Sequence, residues 1–101
     1  MSKRKIWIGW VPPELEPAAE ELCKAVIAEY PTARVGITDS FADNNLRLSF
    51  VMLSEKWGKE LRIDRLLSSA DLENWRLLFD ALRDMVEQRE EGGPPKEVRN
   101  A

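Results

Sequence analysis

The side chains able to do chemistry in this sequence form a short set. Histidine is absent, and Cys23 is the lone cysteine. That removes the commonest general base near neutral pH, the commonest metal ligand, and any centre built from several thiolates. Cys23 has no histidine to activate it and falls near the edge of an apolar helical stripe, so it reads as a packing residue. Paired carboxylates are the remaining acid–base option. A hydrolytic pair needs two carboxyls held apart across a cleft, whereas the acidic residues here recur at the spacings of solvated helix faces. Asp64, near Arg62 and Arg65, reads as part of an exposed ion pair. Asp39, Asp43, Asn44 and Asn45 supply oxygen donors, but they lack the glycine and terminal glutamate of a calcium loop and read as turn formers. Phosphate-loop, dinucleotide and nucleophile-elbow patterns are missing. No catalytic residue, metal ligand or cofactor is expected, and the chain does not read as an enzyme.

Recognition is what remains, and its candidates are aromatic and cationic. The sequence holds four tryptophans: Trp7, Trp10, Trp57 and Trp75. Where they point depends on the elements that carry them. Residues 5–11 alternate with the period of a strand, placing Ile6, Ile8 and Trp10 on one face and Lys5, Trp7 and Gly9 on the other. Pro12 and Pro13 end that strand, and Pro13 suits the first turn of a helix reaching Tyr30. Leu15, Ala19, Leu22, Val26 and Tyr30 form its apolar stripe.

A second strand is expected over residues 33–38, with Val35 and Ile37 inward and Arg34 and Gly36 outward. A loop over 39–45 follows, with Phe41 a candidate to fold back on the core. The clearest alternation lies in residues 46–53: Leu46, Leu48, Phe50 and Met52 against Arg47, Ser49, Val51 and Leu53. After a turn containing Trp57 and Gly58, a short fourth strand is expected over residues 60–63. Leu66 and Leu67 then lead into a second helix capped by Ser68 or Ser69. Leu72, Trp75, Leu78, Phe79, Leu82, Met85 and Val86 trace one stripe along it.

The order β-α-β-β-β-α makes this an α+β chain. Two amphipathic helices need one apolar sheet face between them, so both are expected on the same side of a three- or four-stranded, mostly antiparallel sheet. Pattern alone leaves the strand order open. Residues 1–91 read as a single domain, and residues 92–101, which open on Gly-Gly-Pro-Pro, as a mobile polar tail. No apolar run approaches the roughly 20 residues that span a bilayer. The basic start, Met1 to Lys5, is followed by too short an apolar stretch for a signal peptide. With one cysteine, a cytoplasmic, reducing location and no membrane association are expected.

Charge separates with the elements. Five glutamates against Lys24 give residues 13–30 a net −4, and seven carboxylates against three arginines give residues 68–91 another −4. The chain totals −3, so everything else sums to +5. The helical side should be acidic and the open sheet face comparatively basic. That face would carry Trp7, Arg34, Arg47 and Arg62. With Trp57 from the turn, these are the candidate binding residues. Tryptophan and arginine dominate protein-binding hot spots, so the expected function is a small non-enzymatic protein-binding module. Single-stranded nucleic acid on the same face is the alternative, weakened by the acidic total and the absence of known nucleic-acid motifs. A third reading sets the acidic helical side against a basic partner. A monomer or weak homodimer is expected, since an unpaired strand edge can recruit a second copy.

Overall fold

The computed structural model describes residues 5–40 and 45–93. The basic residues 1–4, loop residues 41–44 including Phe41, and tail residues 94–101 lie outside the described residues. Four strands, β1 (Ile6–Gly9), β2 (Arg34–Ser40), β3 (Asn45–Ser54) and β4 (Lys59–Leu67), form one sheet in the order β1-β2-β3-β4. β1 and β2 are parallel, and the other two pairings are antiparallel. A 3-10 turn (Pro13–Leu15) leads into helix α1 (Glu16–Glu29). After β4 come a short helix α2 (Ser69–Glu73) and a long helix α3 (Trp75–Gly92). The α+β class and the shared side for the helices follow the sequence reading: α1 packs on α3, on β1 and on β2, and α3 reaches β4.

One core lies between the layers. Leu22, Cys23 and Val26 of α1, Ile37 of β2, Leu48 and Phe50 of β3, and Leu82 of α3 are all fully buried. Phe50 meets Tyr30 edge-on, with centroids 5.5 Å apart and rings at 72°. α2 begins with a reciprocal cap: Ser68 Oγ accepts from Asp71 N–H at 3.1 Å, and Ser68 N–H donates to Asp71 Oδ2 at 2.9 Å. The bond from the Ser68 N–H holds the Asp71 carboxyl below its usual range.

Four expectations are corrected. Trp10 does not continue the inward face of β1. The strand stops at Gly9, and Trp10 turns into the left-handed region (φ 53°), leaving its side chain 78 % exposed. Alternation fails there because the chain leaves the sheet ahead of Pro12. The fourth strand is not confined to residues 60–63. It runs to Leu67, so Leu66 and Leu67 belong to it rather than to a helix approach. The second helix is broken at Asn74, whose side chain donates to Ala70 O at 3.0 Å while its carbonyl starts α3. Trp75, expected in the core, is half-buried against it, with Arg76 at 5.4 Å from the ring centroid.

The far end of α3 is latched to the β3–β4 turn. Ser54 is fully buried, and its hydroxyl donates to Glu90 Oε2 at 2.8 Å while accepting from Trp57 N–H at 3.2 Å. Trp57 Nε1–H donates to Glu90 O at 3.3 Å. Truncating Ser54 leaves a partly buried carboxylate and an amide short of a partner. Ser54→Ala should cost about 1–3 kcal/mol in urea denaturation. The cost should be sub-additive with Glu90→Ala in a double-mutant cycle; full additivity would remove the latch.

Candidate functional site

The open sheet face is built by register. Trp7, Gly36, Ser49 and Asp64 form one row across the four strands. On one side of it lies the row Arg34, Val51 and Arg62, and on the other the row Gly9, Thr38, Arg47 and Leu66. Alternation in each strand sends the neighbouring residues to the core, which is why four well-separated segments deliver polar and cationic groups to one surface.

Trp7 stands on the edge strand β1, at one end of the central row, 54 % exposed. Two glycines make its seat. A Cβ at Gly9 would lie 3.0 Å from the indole Cζ2, and one at Gly36 would lie 3.3 Å from Cε3. The six-membered ring therefore rests over both glycines, and a side chain at either position would push against it. A shallow basin of about 380 Å³ opens beside the ring, bordered by Lys5, Arg34, Val51, Glu60 and Arg62.

The cations differ in their commitments. Arg62 Nε lies 3.0 Å from Asp64 Oδ2, and Ser49 Oγ donates to Asp64 Oδ1 at 2.7 Å. The Ser49 bond, then that from Arg62, holds the Asp64 carboxyl below the usual carboxylate range. Lys5 Nζ donates to Pro31 O at 2.6 Å. Among the described residues, Arg34 and Arg47 make no ion pair. Both are exposed, so their charge faces solvent on the same side of the sheet as the indole.

Of the five candidate residues, the structure brings Trp7, Arg34, Arg47 and Arg62 onto this face. Trp57 is not among them: it lies in the β3–β4 turn, half-buried, with its indole N–H committed to Glu90. Sequence reasoning missed Asp64, Leu66 and Thr38 as members of the face, the first two because β4 was read as ending at Ile63. Period-two spacing from Leu61 through Ile63 to Leu67 was the available signal.

Cys23 is fully buried, and its thiol is pushed up to about 12 by burial and then by the Glu20 charge. A nucleophilic thiol requires the opposite shift. Among the described residues, no three of His, Cys, Asp and Glu cluster as a metal site, and no helix is long and apolar enough to cross a membrane. No protein-family model matches this chain, nor does any curated protein or solved structure.

Proposed function

We propose that this chain is a small, non-enzymatic, cytoplasmic protein-binding module that engages an acidic partner through its open sheet face. The observation that carries the reading is the half-exposed Trp7 seated on Gly9 and Gly36, on the sheet face that also carries Arg34, Arg47 and Arg62. An exposed aromatic that shares a face with several arginines has the composition of a binding hot spot, with charge setting partner choice and encounter rate. Val51, Leu53 and Leu66 share the face, and Leu53 and Leu66 are about half exposed. Aliphatic groups of this kind suit a protein surface better than a phosphate backbone.

Panning a random peptide display library on the immobilised protein tests the proposal. Acidic peptides should be enriched, and their affinity should fall as salt rises. Trp7→Ala should weaken the best of them about 30-fold or more, and Arg47→Glu should weaken them as well. Peptides that bind both variants as well as the parent would refute the reading. Retention of single-stranded oligonucleotides, with no peptide enriched, would replace it with nucleic-acid binding.

A further inference from the structure

β4 is a nine-residue strand at an edge of the sheet, with no strand on its outer side among the described residues. The hydrogen-bond ladder fixes which of its backbone groups face outward. Val35 N–H donates to Lys5 O at 2.8 Å, so Val35 turns toward β1, while Arg34 and Gly36 turn toward β3. In antiparallel pairs, successive residues turn both backbone groups to opposite sides. Carried across the register, Phe50 turns toward β4 and Ile63 toward β3. Glu60, Arg62, Asp64 and Leu66 then turn outward. Arg62 O agrees, since it accepts from Arg89 Nη1 at 2.8 Å rather than from β3.

A second copy laid antiparallel along this edge must therefore pair even-numbered residues with even-numbered residues. Centred on Ile63, Arg62 faces Asp64 of the second copy, and Asp64 faces its Arg62. Glu60 then faces Leu66. Moving the centre to Arg62 sets two arginines opposite each other, and moving it to Asp64 sets two aspartates opposite. Like charges directly across a ladder destabilise those two shifts. Centring on Leu61 sets Glu60 opposite Arg62 but carries Asp64 and Leu66 past Lys59, the start of the strand, so the Ile63 register alone pairs all four outward residues without a like-charge clash. We propose that β4 pairs with β4 of a second copy about a two-fold axis at Ile63, joining two four-stranded sheets into one. The edge is self-complementary in both hydrogen bonding and charge, as a closed two-fold contact requires.

Arg89 is the guard on this edge. Its guanidinium occupies the Arg62 carbonyl, which in the pair would accept from the N–H of Asp64 in the second copy. The side chain is exposed and can swing away, so it weakens the pairing without forbidding it.

Sedimentation over a wide concentration range reads the result. Apparent mass should climb from 11.6 kDa toward twice that value as concentration rises. Arg62→Asp alone and Asp64→Arg alone should each weaken association tenfold or more, with circular dichroism unchanged. Mixing those two variants should restore association, because positions 62 and 64, both acidic in one variant, then face the same positions, both basic, in the other. Arg89→Ala should tighten it. A parent that stays monomeric throughout, or two variants that ignore each other when mixed, would overturn the proposal. Peptide capture by the Trp7 face does not enter this readout, so either surface can fail alone.

Discussion

Replacing Phe50 with alanine should remove about 3–5 kcal/mol of stability, the usual cost of deleting a buried ring from a packed core. A domain of this size has only about 5–15 kcal/mol to lose. Phe50 is fully buried in the middle of β3, where it makes a T-shaped contact with Tyr30 and sits opposite Ile63 of β4. Collapse around the cavity is limited because the strand is held on both sides. Three residues along, Leu53 points to the open face and is 53 % exposed. Leu53→Ala should stay within about 0.5 kcal/mol of the parent. Urea midpoints for the two variants check the sheet register directly. A slip of one residue would exchange the two effects, and equal effects would contradict the facing assigned to β3.

Cys23 should resist thiol reagents in the folded chain and react at once when it unfolds. Its thiol is moved from 9.0 to about 12, so at any pH below 9 the reactive thiolate is about a thousandfold scarcer than in a free thiol. Complete burial adds a barrier to access. The same shift ties stability to pH. Below about pH 9 both states keep the proton and the residue adds no slope. Between pH 9 and about 12 the unfolded chain releases the proton while the folded chain retains it. The folding constant then falls up to about tenfold per pH unit from this group. Cys23→Ala should flatten the alkaline limb of the stability curve relative to the parent. Parallel curves between pH 9 and 11, or rapid labelling of the native protein, would show that the thiol is not sealed.

Much of the fold is legible because period-two alternation is strong where one face is buried. β3 shows it plainly, with Leu46, Leu48, Phe50 and Met52 all buried. β4 is harder because an arginine stands at an inward position. Arg65 falls between Ile63 and Leu67 on the core side, and its guanidinium reaches out to the Met85 sulfur at 3.9 Å. A long side chain with a charged tip can occupy such a place at a sheet edge, and the pattern looks broken when the strand is not. The break at Asn74 leaves no trace, because Leu72 and Trp75 keep the spacing of one continuous stripe across it. Trp10 is opaque for another reason: a bulky residue at positive φ is uncommon, so nothing in its type announces the turn.

The candidate site divides in the same way. Trp7, Arg34, Arg47 and Arg62 follow from alternation within single strands. The seat under Trp7 does not. It depends on β2 lying directly beside β1, so that Gly36 comes under the ring together with Gly9. Strand order is a tertiary fact, and helices on one side of the sheet are compatible with several orders. Trp57 shows the reverse error, since an aromatic in a turn looks exposed until the end of α3 is placed over it.

A sheet threaded in chain order has short return paths. β2, β3 and β4 form a meander whose pairings close over few residues, the kind of local contact that forms quickly during folding. β1 must instead wait for the chain to come back across α1, a longer closure with a larger entropic cost. As the nascent chain emerges, β1 appears first yet finds no ladder until Val35 arrives. The indole that the finished surface displays therefore travels on the strand whose docking closes the longest loop of the three pairings.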